Sequence, residues 1–359
     1  YVIAAPVVTV TTDASNDVTG SGDGSPATLI VGTEGGGDTP VIGFAPDYDR
    51  AIGSKYYTTE KDKEITLTDG KAIVRSGKLR AAYGAYATLQ GCGSAHIERA
   101  ALEVAGGTFC SDFYPRVLGG YAVVYLSSGI TLAKAEVAHS TAAITGGSFA
   151  GRQMTFAGGS AEVHRFSDGN VPIELAAHDN HITVTGGIFK EDAVFYGGYA
   201  EGYADDPGLQ AKANANHLTF AADAAVQDLF GGYADASGHK PDTVAAEANE
   251  NTLQIAKGTC SQAVMGGGAF GSGTSTANGN TVRISGGIYK KTVYGGCAET
   301  NSGAGSVANA CDNTIEITGT PNLSAATLYG GYARAAAKNV AGNALVVKET
   351  KGITARSIE

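Results

Sequence analysis

Short runs of alternating apolar and polar residues recur along almost the whole chain. In the stretch Thr281 to Ala298, the run Val282 to Ser285 alternates in this way, which predicts a half-buried β-strand. Gly286-Gly287 ends that strand, and a second strand after Tyr289 leads into Gly295-Gly296. We therefore predict two short strands and two glycine corners in each unit.

Copies of the second glycine pair show that the unit repeats. The copies are Tyr83-Gly84-Ala85-Tyr86, Leu118-Gly119-Gly120-Tyr121, Ala157-Gly158-Gly159-Ser160, Tyr196-Gly197-Gly198-Tyr199, Phe230-Gly231-Gly232-Tyr233, Met265-Gly266-Gly267-Gly268, Tyr294-Gly295-Gly296-Cys297 and Tyr329-Gly330-Gly331-Tyr332. Successive copies begin 29 to 39 residues apart, and a weaker copy, Val41-Ile42-Gly43-Phe44, precedes them. Such a period without helical heptads is typical of a solenoid, and this chain accommodates about nine coils.

The first strand of each repeat can be followed by a pair of apolar residues that should point inward. These pairs are Leu29/Val31, Ile65/Leu67, Leu102/Val104, Ala142/Ile144, Ile182/Val184, Leu218/Phe220, Leu253/Ile255, Val282/Ile284, Ile315/Ile317 and Leu345/Val347. Strands that recur once per coil stack parallel to their own copies. The fold class is therefore all-β, a single-stranded parallel β-helix, and general crossover chirality favours the right-handed form.

Two columns of like residues are expected to stack along the solenoid. Aromatic residues after the first glycine pair form one predicted ladder: Phe109, Phe149, Phe189 and Tyr289. Asparagines before the first strand form the other, with Ser140 in the equivalent place upstream: Asn180, Asn216, Asn251, Asn280, Asn313 and Asn343. Asparagine tolerates left-handed corner geometry, and its amide both donates and accepts hydrogen bonds. Both columns are interpreted as structural.

Composition narrows the class of protein further. The net charge is −10 with a pI near 5.2, and the sequence has no Lys/Arg cluster, which argues against nucleic-acid binding. No apolar run reaches the roughly 18 residues of a membrane span, so we expect no membrane insertion in this fragment. Residues 1–26 are interpreted as an irregular segment or the start of the first coil, and residues 27–359 as one elongated solenoid.

The chain has five cysteines, an odd number, and no CxxC pair. This pattern indicates neither a zinc site nor a complete disulfide framework. We predict thiols that are buried or partly buried, with a disulfide between Cys92 and Cys110 as the alternative.

The combination of GG-aromatic, VYGGYA and an Asn-led strand resembles the repeats of large bacterial surface adhesins, including β-helical passenger domains of autotransporters. The resemblance covers roughly residues 27–359. It implies display on the bacterial cell surface, an extracellular location, and adhesion to a host or bacterial surface glycan or protein. The translocating β-barrel of autotransporters is not in this sequence, so the resemblance leaves the anchoring mode open.

The alternative is a carbohydrate-active β-helical enzyme, a polysaccharide lyase or glycoside hydrolase, which needs paired carboxylates on adjacent coils. The outward column of the first strand contains no such pair: Thr66, Glu103, Ala143, Thr183, Thr219, Gln254, Arg283, Glu316 and Val346. His181 and His217 stack outward after the asparagine column, but two ligands are weak evidence for zinc. We therefore expect no catalytic residue, no metal and no cofactor.

The register and the ends of the repeats lead to two further expectations. Arg283 and Glu316 hold the same outward position in consecutive strands, which predicts an ion pair across coils. The last residues, from Ala344 to Glu359, open another repeat and stop where its GGYA motif should come. We therefore expect a fragment that continues into further repeats or an anchor.

The arc from the second glycine pair to the asparagine column is longer in the first half of the chain, where it measures 19 to 22 residues against 13 to 18 later. Such insertions often form the binding face of a solenoid. The residues proposed for binding are Tyr125, His164, Tyr203, Asp205, Asp206 and His239. The alternative interpretation is variable surface whose aromatic residues only cover the stacked strands.

Overall fold

A computed structural model describes residues 5–14, 16–42, 50–91, 93–110, 115–126, 133–165, 172–203, 208–237, 244–300, 305–348 and 353–359. Within these ranges the chain forms strands and no helix. The strands stack in three long parallel sheets and two short ones. The predicted parallel β-helix solenoid is confirmed.

The first sheet contains the strands that follow the asparagine column. Its eleven strands are Val7–Val10, Thr28–Val31, Lys71–Val74, Ala101–Val104, Thr141–Ile144, His181–Val184, His217–Phe220, Thr252–Ile255, Thr281–Ile284, Thr314–Ile317 and Ala344–Val347. Arg283 and Glu316 are in register here, and the predicted ion pair forms with 3.1 Å between Nε and Oε2. The repeat alignment is therefore right at this point.

One predicted inward pair, Ile65/Leu67, does not belong to the first sheet. The first-sheet strand of that coil is Lys71–Val74, whose Ala72 and Val74 are buried, so the outward position is held by Ile73 and not by Thr66. Both segments alternate apolar and polar residues. Periodicity alone therefore does not tell which side of the coil a strand occupies.

The second sheet contains the strands with the second glycine pair. Its eleven strands are Val18–Ser21, Arg50–Thr58, Ala81–Gln90, Arg116–Leu126, Thr155–Arg165, Val194–Tyr203, Asp228–Ser237, Ala263–Gly271, Thr292–Thr300, Thr327–Arg334 and Ser357–Ile358. The strand Thr292–Thr300 runs straight through Gly295-Gly296, so the prediction that this pair is a corner is wrong.

The weaker repeat was also misplaced. Ile52-Gly53-Ser54 is the copy in register with Tyr83-Gly84-Ala85. Val41 forms a bridge with Lys78 on another side of the coil. The first and second sheets each contain eleven stacked strands, whereas about nine coils were expected. The expected number was too low because it was counted from the glycine pairs, and the terminal strands, such as Val18–Ser21, carry none.

A third sheet was not predicted. Its nine strands are Lys63–Thr68, Gly93–Glu98, Ala133–Ala138, Ile173–His178, Leu209–Asn214, Ala245–Glu247, Thr274–Thr276, Val307–Asn309 and Ala337–Asn339. Alanines such as Ala95, Ala135 and Ala211 fill its inner side with no exposed surface. The first five strands have six residues and the last four have three, so part of the presumed insertion length is strand. The remaining extra length falls on 127–132, 166–171, 204–207 and 238–243, outside the described residues.

The aromatic column divides between two short sheets. Phe109, Phe149 and Phe189 stack with ring centroids 4.8 Å apart in the sheet Lys78–Leu79, Thr108–Phe109, Ser148–Phe149 and Ile188–Phe189. Tyr289 lies in the separate sheet Ala225–Val226, Thr259–Cys260 and Ile288–Tyr289. The prediction of one ladder that includes Tyr289 is therefore wrong, since the two intervening coils have Val226 and Cys260 at this position.

The asparagine ladder is confirmed. Asn180, Asn216, Asn251, Asn280 and Asn313 are fully buried, and each Nδ2 donates to Oδ1 of the next asparagine at 3.0–3.1 Å. The same oxygen accepts the backbone N–H of the preceding ladder residue at 2.9–3.0 Å. The amide therefore satisfies buried groups along the solenoid axis.

The left-handed residue of each corner is the one before the ladder position, as in Asp179 (φ 55°) and Ala215 (φ 54°). The ladder asparagines therefore contribute through their amides and not through a left-handed backbone conformation. Where the ladder residue is asparagine, its amide also explains the second glycine of the pair, because a Cβ on Gly198 would lie 2.3 Å from the amide of Asn216. In an early coil the smaller residue is on the other strand: Gly70 occupies the ladder position, and Ser54 takes the place of the second glycine opposite it.

Four cysteines are free thiols in the structure. Cys260 and Cys297 are buried, whereas Cys110 and Cys311 are partly exposed. The alternative disulfide partner of Cys110, Cys92, lies outside the described residues.

Candidate functional site

The outward face of the second sheet carries two rows of mostly aromatic side chains. Ala122, Ala161 and Ala200 are buried in the interior, so their sequence neighbours point outward. One outward row is Tyr86, Tyr121, Ser160, Tyr199, Tyr233, Gly268, Cys297 and Tyr332. The other is Tyr83, Leu118, Ala157, Tyr196, Phe230, Met265, Tyr294 and Tyr329.

These outward rings pack on one another. Tyr121 lies against Tyr83 and Tyr86, with ring centroids 5.7 and 5.4 Å apart, and we call these three residues the N-terminal tyrosine cluster. Each is at most 7% exposed. Farther along, Tyr196 stacks on Phe230 with a centroid distance of 5.1 Å. The tyrosine of the GGYA motif is therefore a residue of the outer face and not of the solenoid interior.

A row of carboxylates lies beside the aromatic rows. Glu162, Glu201 and Asp235 occupy equivalent outward positions on three consecutive coils. Phe270 and Glu299 follow in the same row. Sequence reasoning missed this row because it examined only the first strand of each repeat. The signal was present, since an acid stands four residues after the first glycine of each of these pairs except Gly266.

Glu162 is 1% exposed, and four side chains lie within hydrogen-bonding distance of its carboxylate. Arg116 Nη1 lies 2.8 Å from its Oε2, the Tyr121 hydroxyl donates to the same oxygen at 3.0 Å, and Ser160 Oγ donates to Oε1 at 3.0 Å. His164 Nε2 is 3.1 Å from Oε2. Burial alone would raise the pKa of Glu162, but Arg116 and these hydrogen bonds lower it to about 2.

The next two carboxylates are in a different environment. Glu201 is hydrogen-bonded to the Tyr199 hydroxyl, and Asp235 accepts from the Tyr233 hydroxyl at 3.4 Å. Burial raises the pKa of both, and the negative charge of Glu162 raises the pKa of Glu201 further. Neighbouring coils therefore hold one carboxyl that stays ionised and another that retains its proton to higher pH.

A cavity of about 300 Å³ opens beside the N-terminal tyrosine cluster. Its wall combines guanidinium groups and rings, including Arg50, Arg80, Arg116, Tyr86, Tyr125 and His164. Two of the guanidinium groups lie over rings, with Arg50 Cζ 5.1 Å from the Tyr86 centroid and Arg116 Cζ 4.7 Å from the Tyr121 centroid. The cavity is thus cationic and aromatic, at the lower end of the volumes of small-ligand sites.

The residues that the sequence analysis proposed for binding are only partly described. Tyr125 and His164 are in register on the second sheet, and their rings stack with centroids 5.4 Å apart. Tyr203 is 53% exposed at the end of its second-sheet strand. These three residues are therefore on strands and not in loops. Asp205, Asp206 and His239 lie outside the described residues.

The paired histidines lie on another side of the solenoid. The rings of His181 and His217 stack with centroids 4.5 Å apart, and burial lowers the pKa of both. His178 bonds to Asp179 and Glu136 nearby, at 2.9 and 3.0 Å. Within the described ranges, no group of three or more His, Cys, Asp or Glu side chains is placed to hold a metal ion.

Comparisons with known proteins give no family for this chain. No protein-family model, curated protein or solved structure matches it. No helix capable of crossing a membrane is found in the part of the chain that the structure describes.

Proposed function

We propose that this chain is part of a non-catalytic extracellular protein of the bacterial cell surface, a stalk that also presents an adhesive face. The observation that carries the proposal is the pair of outward rows on the second sheet between Tyr83 and Tyr332, in each of which five of the eight positions are aromatic. Aromatic side chains bury a large area at little cost in rotamer entropy, which suits contact with sugar rings or a protein surface.

The chemistry of the chain supports the proposed location. Its net charge is −10, which favours solubility. The repeat style resembles that of bacterial surface adhesins, whose solenoids project from the cell. The ligand in this proposal is a glycan or protein on a host cell or a neighbouring bacterium.

The binding edge of this face is proposed to be Tyr125, His164 and Tyr203, continued by Asp205, Asp206 and His239 in the segments that follow. A screen against glycans and surface proteins identifies a ligand. Changing Tyr125, His164 and Tyr203 together to alanine should then weaken binding and leave the melting temperature nearly unchanged, since none of the three is fully buried.

The matched control changes three outward residues of the first sheet, Thr183, Thr219 and Gln254, to alanine. It should bind like the parent chain. Equal affinity of the two triple variants would show that the second-sheet edge does not carry the binding.

The carboxylate row favours a second candidate function, cleavage of a polysaccharide. Glu162 and Glu201 occupy adjacent coils and their pKa values are shifted in opposite directions, and such pairs can divide the roles of base and acid. The test is release of reducing ends or unsaturated products from a polysaccharide panel. Activity that Glu201→Gln abolishes would establish the enzyme; activity that survives this change would exclude the pair from catalysis.

A further inference from the structure

We infer that the cavity beside the N-terminal tyrosine cluster binds an anionic sugar residue, a carboxylate- or sulfate-bearing unit within a glycan. This inference rests on the proposed function and assigns a ligand class to one end of the adhesive face.

The charge of the cavity is opposite to that of the chain. Lys and Arg number 25 against 35 Asp and Glu in the whole sequence, yet the cavity wall brings Arg50, Arg80 and Arg116 together. Among the described residues that form the wall there is no carboxylate. Guanidinium groups recognise carboxylate and sulfate oxygens through parallel N–H donors. The wall is therefore suited to an anion.

Arg116 is fixed in place by groups behind the cavity. Its Nη1 donates to Glu162, which is buried, and to the Tyr121 hydroxyl. In the described part of the chain it bonds only through Nη1, so the N–H groups on Nε and Nη2 are available to a ligand. Its side chain is 23% exposed, which gives solvent, and thus a ligand, access to it.

Arg50 is held in a similar way. Its Nε lies 3.1 Å from Oδ1 of Asp17, and Lys55 Nζ lies 2.9 Å from Oδ2 of the same carboxylate. The Asp17 side chain is 7% exposed, so it anchors both cations from beneath. Arg50, Lys55 and Arg116 thus share two buried carboxylates, Asp17 and Glu162. Arginines held by buried acids and rings need little reorganisation to bind.

The rings around the arginines favour a sugar over an acidic peptide. Tyr86 and Tyr125 belong to the cavity wall, and Tyr125 is stacked on His164 with ring centroids 5.4 Å apart. The facing sides of this pair cover each other, so a pyranose ring would pack its apolar face against the outer side or the edges of the stack, while its acidic group reaches an arginine. A flexible acidic peptide has no rigid ring to place there.

The neighbouring coils limit the ligand further. On the same outer face the row from Glu162 continues as Glu201 and Asp235, which repel a uniformly anionic polymer. A nucleic acid needs a positive groove along its whole backbone, and this face lacks one over the described coils. The inferred ligand is therefore a glycan with an isolated acidic unit rather than a polyanion.

The test is isothermal titration with an oligosaccharide that carries one uronate unit and its methyl ester, the same oligosaccharide with one sulfate group and its desulfated form, and a tetraglutamate peptide. The first variant is Arg80→Gln. The second, R116Q combined with E162Q, removes the guanidinium without leaving a buried carboxylate unpaired. The matched control is Arg283→Gln, which changes net charge as Arg80→Gln does but lies on the first sheet.

The parent chain should bind the uronate, the sulfated sugar or both, and their relative affinity identifies the acidic group. The ester and the desulfated form should bind more weakly by about tenfold or more, the value of one charge-assisted hydrogen bond. Arg80→Gln and the double variant should lose affinity to a similar degree, whereas Arg283→Gln should stay within about twofold.

Equal binding of the ester and the acid, or of the tetraglutamate and the uronate, would overturn the inference. In that case binding of neutral glycans that depends on Tyr125, His164 and Tyr203 would leave the proposed adhesive function standing. Absence of binding to any glycan or protein in the screen would instead remove the proposed function, so the two failures are distinguishable.

Discussion

Removal of one amide from the middle of the asparagine ladder should destabilise the solenoid strongly. In Asn216→Ala four hydrogen bonds are lost. Oδ1 no longer accepts from the backbone N–H and Nδ2 of Asn180, at 3.0 and 3.1 Å, and Nδ2 no longer donates to Ala177 O and to Asn251 Oδ1, at 2.8 and 3.1 Å. Each bond contributes about 1 kcal/mol, and unsatisfied buried groups cost more. We expect a loss of about 3 to 5 kcal/mol in the free energy of unfolding.

The matched control is Asn249→Ala, two residues before the ladder residue of the next coil. The side chain of Asn249 accepts one backbone hydrogen bond, from Asn278 N at 2.8 Å, so its removal should cost about 1 kcal/mol. The assay is urea unfolding followed by circular dichroism, with amide hydrogen exchange to locate the effect. The N–H of Asn180 should lose protection in Asn216→Ala. A similar loss of stability in both variants would refute the argument.

Three further predictions concern stability and reactivity. Glu162→Gln should cost about 2 to 3 kcal/mol in the free energy of unfolding because it leaves the partly exposed guanidinium of Arg116 without its charged partner. In the parent chain the pKa of the Glu162 carboxyl is lowered to about 2, so its contribution to stability is present above the unfolded value of about 4.3 and is lost as the pH falls toward about 2. Acid unfolding curves of the parent and the variant measure this difference. Gly198→Ala should lower the midpoint of thermal unfolding because the new Cβ would lie 2.3 Å from the amide of Asn216. Gly22→Ala is the control and should leave the midpoint unchanged, since no atom lies within 4 Å of its Cβ. Equal midpoints of the two variants would contradict this packing. Iodoacetamide should alkylate Cys311 in the native protein much faster than Cys260, because Cys311 is partly exposed whereas burial raises the pKa of the Cys260 thiol to about 12. Mass spectrometry of timed samples measures the two rates, and equal rates would contradict the prediction.

Much of the fold could be predicted from the sequence because each coil repeats the same local solution. The ladder from Asn180 to Asn343 and the pair Arg283–Glu316 follow from counting residues between copies, since parallel strands stack equivalent positions at one strand spacing. The sequence also shows where the large ladder residue needs space, because the second glycine of the pair lies opposite each ladder asparagine in the later coils. These features depend on local spacing, which a sequence carries directly.

Other features were decided only by the tertiary structure. Ile65/Leu67 alternates like a first-sheet strand, yet the turns around it place it in the third sheet. A strand's side of the coil depends on where the corners fall, and a shift of one residue exchanges inward and outward positions. The cationic cavity combines Arg50, Arg80, Arg116 and His164 from different coils, and its shape depends on how outward rings pack on a curved surface. The sequence therefore determined which residues repeat, and the packing of coils decided which of them meet.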